Sequence, residues 1–261
     1  MNFIKTEITN TINNLRLKLY KTLSAPIDAM WELAYIASSQ HYLIKDDDII
    51  MGYCCINNEN CLIQIFLEKE YYSEMENVIK ELIESELIRS ASLSSNETIS
   101  FNACLVHSKS MKANTFCFEH TNSKLKINSE LNLELVLTKD IPDIKAFLKE
   151  QLGMDDTFGY TEGLVSRKEI FMLKENNIII ATSERRISDT QAQIADLGII
   201  VNKDYYGKGI ATQIMQIQVN NVLDLGRKPI CSTTLDNIAS QKMIKKSGFY
   251  CSNIIFDINF K

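Results

Sequence analysis

Residues 205 to 212 read Tyr-Tyr-Gly-Lys-Gly-Ile-Ala-Thr, two glycines around a lysine, between an apolar run and a helix-periodic one. With no Cβ at Gly207 or Gly209, successive backbone N–H groups and the positive end of the following helix can surround phosphate oxygens. The same residues also suit a plain strand-to-helix turn. Two familiar phosphate loops fit poorly. A Walker loop needs four residues between its first glycine and a Gly-Lys-Ser/Thr triplet, and a dinucleotide fingerprint needs a third glycine where Thr212 stands. Farther on, Asn237-Ile-Ala-Ser240 opens a helix that closes at Ser247-Gly248-Phe249, so Asn237 is placed both to cap that helix and to face a ligand.

The tyrosine pair occurs twice. Laying Tyr71 on Tyr205 also lays Ile65 on Ile199, Lys69 on Lys203 and Glu70 on Asp204, each time between an apolar strand and a helix. This reads as a degenerate internal repeat. In the first copy Ser73, Glu74, Met75, Glu76 and Asn77 take the places of Gly207 to Ala211. Side chains and two negative charges there oppose an anionic ligand. The first half is therefore expected to keep the shape of the second but not its ligand, and to serve as a wall of the substrate site or a packing partner.

The elements that must position these residues follow from periodicity. Ile4, Ile8, Ile12, Leu15 and Leu19 predict an amphipathic helix, with a second from Pro26 through Met30, Trp31, Ala34 and Tyr35. Residues 49–56 and 62–67 read as a hairpin about Asn57-Asn58-Glu59-Asn60, with Cys54 and Cys55 on opposite faces, and 75–87 as a helix. The polar stretch 119–132 is the linker candidate. A helix follows at 142–152, capped by Asp140 and ended by Gly153, then a mixed segment over 154–170. Strands are expected at 178–182, 196–201 and 229–233, helices at 210–225 and 239–246, and a final strand over 250–260. The order is α/β alternation with a mostly β ending.

Composition narrows the chemistry. The 261 residues are 45% hydrophobic, enough for one large or two ordinary cores, with no apolar run at the start that could act as a signal or membrane span. A cytoplasmic protein is expected. Seven cysteines without a C-x-x-C pair and three histidines suggest neither a disulfide framework nor a metal site. A net charge of −5 disfavours nucleic acid and anionic membranes as partners.

The stretch Val201 to Thr212, followed by Asn237 to Ser240 and Ser247-Gly248-Phe249, resembles the GNAT superfamily of acyl-CoA-dependent N-acetyltransferases. Their Q/R-x-x-G-x-G/A pattern, which binds the pyrophosphate of coenzyme A, maps onto Tyr206 to Ala211. Gly209 and Ala211 match, while Tyr206 stands where the family has arginine or glutamine. The resemblance covers roughly 131 to 260. It implies an α/β (α+β) fold of two GNAT-like lobes, each a central mixed, mostly antiparallel sheet flanked by helices, divided as 1–125 and 126–261.

It also implies acetyl-CoA as cosubstrate, held by Ile199, Ile200, Val201, Tyr206, Gly207, Lys208, Gly209, Ile210, Ala211, Thr212, Asn237 and Ser240, with no metal. A splay between two parallel strands would admit the pantetheine arm, with backbone N–H groups near Gly198 polarising the thioester carbonyl. Direct attack by a primary amine of a small molecule needs a base, for which Asp196, on the strand before the glycines, is the candidate, with Glu162 and Asp189 in loops as alternatives. The tyrosine that many members use as general acid is Ile244 here; Tyr250 is near in sequence. Residues 154–169, with Asp155, Asp156, Tyr160 and Glu162, would cover the acceptor, and their charge suits a cationic amine or is simply a solvated face. The departures at Tyr206 and Ile244 leave open a non-catalytic acyl-CoA sensor or partner-binding protein, and the glycine turn alone leaves open a nucleotide-binding protein. A monomer or homodimer fits all three.

Overall fold

The computed structural model describes residues 1–127, 131–156 and 159–260. They divide into two units. The first comprises residues 1–117, 232–236 and the stretch from Cys251 onward, and the second 118–231 and 237–250.

In chain order the first unit contains β1 (Asn2–Thr6), α1 (Asn10–Thr22), a short π-helical segment (Trp31–Ile36), β2 (Gln40–Asp46), β3 (Ile49–Ile56), β4 (Cys61–Leu67), α2 (Met75–Glu84), β5 (Ser90–Ser94), α3 (Thr98–Val106) and most of β6 (Ser110–His120). β1 to β4 pair antiparallel in succession. β4 and β5 are parallel, joined only at Cys61↔Ser90 and Leu62↔Ala91. β3 and β4 are buried on both faces, which explains their continuous apolar sequence. Ile12, Leu15 and Leu19 of α1 pack on Tyr53 and Phe66 at one face, while Val78, Ile79 and Leu82 of α2 pack on Cys54, Ile65 and Leu67 at the other. Cys55 sits on the α1 side with Ile27, Ile36 and Ile63, so the two adjacent cysteines face opposite ways. The hairpin turn is fixed by Asn57, whose Oδ1 accepts from the N–H groups of Glu59 and Cys61, both at 2.9 Å.

The opening of the chain departs from the periodicity. Ile4 and Ile8 share the helical spacing of Ile12, yet residues 2–6 pair along β2 and both isoleucines are 44% exposed. Thr9 ends the ambiguity, because its side chain caps α1 by accepting from the Ile12 N–H at 3.4 Å. Likewise the second helical turn starts not at Pro26 but after Asp28, whose Oδ1 accepts from the Trp31 N–H at 3.0 Å.

The second unit contains β7 (Glu134–Leu135), α4 (Ile141–Leu152), α5 (Tyr160–Ser166), β8 (Ile170–Glu175), β9 (Ile178–Ile187), β10 (Ile194–Val201), α6 (Ile210–Asp224), most of β11 (Lys228–Thr234), α7 (Ile238–Lys246) and the start of β12 (Phe249–Asn259). β7 to β10 pair antiparallel in succession. β10 and β11 are parallel over Ile194↔Lys228 to Asp196↔Ile230, and the pairing stops there. α4 and α5 cover one face through Ile144, Phe147, Leu148 and Leu164, and α6 covers the other through Ile214 against Ala181 and Val201. α4 ends at Gly153 with φ +70°, as its sequence indicated. Each unit is thus a mixed, mostly antiparallel sheet between helical layers, with one short parallel pair.

The expected linker is shorter than its composition suggested. Glu119 and His120 finish β6, and the Leu125 backbone is pinned by exchanging two hydrogen bonds with the Asn220 side chain, both at 2.9 Å. Residues 128–130 of that stretch lie outside the described residues, as do 157 and 158 of the mixed segment. Ser232–Asp236 and Cys251–Phe260 belong to the first unit, where Ile255–Asn259 of β12 run antiparallel to Ser94–Ser90 of β5.

Candidate functional site

β10 leaves its sheet at Val201. Asn202 then turns the chain, its side chain accepting from the Asp204 N–H at 3.0 Å. Gly207 and Gly209 both adopt φ +77°, and a Cβ at either would meet no atom within 4 Å. They are therefore needed for a left-handed backbone and an open approach, not for tight packing. α6 starts at once after Gly209, with no side-chain cap and no acidic residue in its first turn. Over 15 residues its aligned peptides leave the positive end and the first N–H donors uncompensated.

A cavity of about 450 Å³ opens at this helix end. Of the expected ligand-binding residues, Ile199, Ile200, Val201, Tyr206, Gly207, Gly209, Ile210, Ala211, Thr212, Asn237 and Ser240 line it. Lys208 does not; its ammonium lies 4.3 Å from the centre of the Tyr205 ring. Asn237 caps α7, its Oδ1 accepting from the Ser240 N–H at 3.1 Å. Lys242 and Lys246 also line the cavity, along with Leu152, Tyr205, Ala239 and Met243. Sequence reasoning passed over the two lysines, although their four-residue spacing on a helix opened by Asn237 puts both on its cavity side. Uncapped N–H donors, glycines without Cβ atoms and two lysines fit a diphosphate, and the apolar ends of β10 fit an alkyl arm.

Earlier along β10 the chemistry is different. Asp196 and Gly198 lie opposite Arg186 and Glu184 of β9 in the antiparallel register. The Arg186 guanidinium bonds both the Glu184 and the Asp196 carboxylates, and all three side chains are at least nine-tenths buried. The Tyr160 hydroxyl donates to Glu184 at 2.7 Å. Burial, followed by the Glu184 charge, pushes the Tyr160 phenol well above its ordinary range. Gly198 lies against this network, where an added Cβ would stand 3.2 Å from Arg186 Nη1. Glu184 and Arg186 were missed in the sequence, though charged residues two apart in an apolar strand mark one face of that strand.

The other acidic candidates are engaged elsewhere. Glu162 is half exposed and bonds Lys145 at 2.7 Å, and Asp189 bonds Arg167 at 2.7 Å. Asp156 caps α5, accepting from the N–H groups of Tyr160 at 2.9 Å and Thr161 at 2.7 Å. Burial works against its charge, but those bonds outweigh it and hold the Asp156 carboxyl below the usual range. Ile244 is buried core. Among the described residues no cluster of His, Cys, Asp or Glu could hold a metal ion, and no helix is long and apolar enough to cross a membrane.

Two family models, both described as acetyltransferase (GNAT) domain, match residues 8–121 and 143–250. A solved acetyltransferase of the GNAT family from Colwellia psychrerythraea superposes with a TM-score of 0.92 at 25% identity, covering all of both chains. A GCN5-related N-acetyltransferase from Sphaerobacter thermophilus shares the fold at 12% identity and a TM-score of 0.69, over 99% of this chain and 96% of that one. A tandem GNAT protein from the clavulanic acid biosynthesis pathway does so at 8% identity and a TM-score of 0.59, over 98% and 97%. No curated protein matches in sequence. With a GNAT domain matched in each half and a solved family member alike over its full length, the chain belongs to the GNAT acetyltransferases, as a tandem of two such domains.

Proposed function

We propose that the chain transfers an acetyl group from acetyl-CoA to a primary amine of a small molecule, with 126–261 as the catalytic domain and 1–125 as a domain that has kept the fold without the cofactor. The observation that carries this reading is the uncapped α6 terminus behind Gly207 and Gly209, opening into a cavity lined by Lys242 and Lys246. The backbone donors of residues 207–212 would hold the diphosphate, and Ile199–Val201 would lie along the pantetheine arm. Acetyl-CoA supplies an activated acyl group whose thiolate is a good leaving group, since a thiol has a pKa of about 8.5.

An amine with a pKa of about 10 is almost fully protonated at neutral pH, so the protein must accept a proton before attack. We assign that task to Asp196, with Arg186 and Glu184 holding it in place. Glu162 is the alternative, although its carboxylate already sits in a half-exposed ion pair. With Ile244 in the core, no side chain at that position can return a proton to the departing thiolate, and the reading requires none.

The departure at Ile244 also supports the second reading, a GNAT-shaped acyl-CoA sensor. Incubating the full chain with acetyl-CoA and a panel of small amines, while following free thiol, separates the two. Turnover with at least one amine supports the enzyme; saturable acetyl-CoA binding without thiol release replaces it with the sensor. Absence of binding overturns both.

A further inference from the structure

The first unit has a cavity of about 350 Å³ built from the parts that form the cofactor cavity of the second. Ile65–Leu67 at the end of β4 stand for Ile199–Val201, Tyr72 for Tyr206, and the first turn of α3 for that of α7. Its chemistry is inverted. Met75 takes the place of Gly209, and the residue that opens the helix is Glu97 in place of Asn237.

The Glu97 side chain is only 3% exposed. One carboxylate oxygen accepts from the Ser94 N–H at 3.4 Å, while the other, Oε2, has no partner. Beside it Asn96, 4% exposed, donates to the Ala25 carbonyl at 2.7 Å but leaves its own Oδ1 without a donor. With Glu97 ionised, two buried acceptor oxygens in one cavity thus both lack a donor, a condition that costs about 1–3 kcal/mol per group and keeps the carboxyl protonated until a cationic donor arrives. The remaining titratable neighbours do not supply one: the buried Arg16 guanidinium of α1, bonded to His41 at 2.8 Å, acts on Tyr53 and Cys55 but not on Glu97. Tyr53 and Cys55 on β3 and Cys104 on α3 are buried and held neutral by that burial. Lys69 lines the cavity but is itself exposed. The apolar part of the wall is made by Leu19, Ile65, Phe66, Met75 and Ile99.

We propose that this cavity binds a primary alkylammonium ion, its N–H groups bonding Glu97 Oε2 and Asn96 Oδ1 and its chain lying along the apolar walls. Such an ion matches both missing donors and the missing charge, whereas a diphosphate would meet a carboxylate and the Met75 side chain. Binding also has a proton signature. Burial pushes the Glu97 carboxyl up to about 8, so at pH 7 it is mostly neutral, and an arriving ammonium ionises it and releases close to one proton. The proposal is independent of catalysis in the second domain and stands equally if the chain is a sensor.

The test is calorimetry of the full chain with n-hexylammonium chloride at pH 7, in two buffers of different ionisation enthalpy. A saturable site is expected whose heat reports release of about one proton, and whose affinity falls at least tenfold in Glu97→Gln and several-fold in Asn96→Ala. Acetyl-CoA binding should be unchanged in both variants. An amine bound at an acceptor site of the second domain would not respond to either substitution, so the two sites are distinguishable. Equal affinity in the wild type and both variants, hexanol or hexanoate binding as tightly as the amine, or acetyl-CoA competing for the same site would each overturn the proposal.

Discussion

At the scale of single residues, two buried carboxylates meet opposite treatment. Asp196 is only 1% exposed, yet it lies against the Arg186 guanidinium and so keeps a counter-charge. Asp196→Asn keeps the shape and removes the negative charge. If Asp196 accepts the substrate proton, kcat should fall by about 10²- to 10⁴-fold, with the KM for acetyl-CoA nearly unchanged because Asp196 lies outside the cavity proposed for the cofactor; steady-state kinetics with a responsive amine checks this. Among the described residues no such cation acts on Glu97, and burial raises its carboxyl from an ordinary 4.5 to about 8. The folded state therefore holds a proton that the unfolded chain releases at lower pH. Stability is fullest below about 4.5, declines by up to about 1.4 kcal/mol per pH unit as the pH rises toward 8, and levels off beyond it. Glu97→Gln should flatten that decline, so denaturant melts at pH 9 should find the variant more stable than the wild type by a few kcal/mol.

At the scale of elements, the function proposed for the second unit rests on a helix end left bare. Gly209→Glu would put a carboxylate at the mouth of the cavity and an ordinary residue at φ +77°. Acetyl-CoA affinity is expected to drop at least tenfold by calorimetry, with a loss of about 1 kcal/mol in stability from the left-handed backbone. That loop was legible in the sequence, because glycine spacing states a backbone requirement directly. The β3–β4 hairpin and α6 were legible for a similar reason: continuous apolar runs and 3.6-residue periodicity survive burial unchanged.

Other elements were not. β5 reads Ser-Ala-Ser-Leu-Ser and looks like a loop, but its hydroxyls are matched by partners far along the chain. Ser92 donates to Asp257 at 2.6 Å, and Asn253 donates to Ser94 at 2.6 Å. The Tyr160–Glu184–Arg186–Asp196 network was equally hidden. Its members meet through antiparallel register and helix packing, which sequence order does not reveal until the strands are paired. Asp156 shows the converse, a charge that looked available to a substrate and instead caps α5.

At the scale of the whole molecule, a repeat visible in one tyrosine pair extends to two matched GNAT domains with different occupants proposed for their equivalent grooves. One acetyl-CoA per chain is therefore expected at saturation, measured by calorimetric stoichiometry; two would show that the first domain has retained the cofactor. The units also do not follow the chain cleanly, since Cys251–Phe260 belong to the first. A variant ending at Tyr250 should lose the first unit's native fold as well as β12, seen as amide protons of β3 and β4 that exchange freely. There is a temporal side to this arrangement. On the ribosome, β5 emerges with one edge bare and must wait for residues 255–259, roughly ten to thirty seconds later at about 5–20 residues per second. For that interval the nascent chain exposes a strand edge on which another polypeptide could pair. Aggregation during synthesis should therefore depend on elongation speed, even where the finished protein is stable.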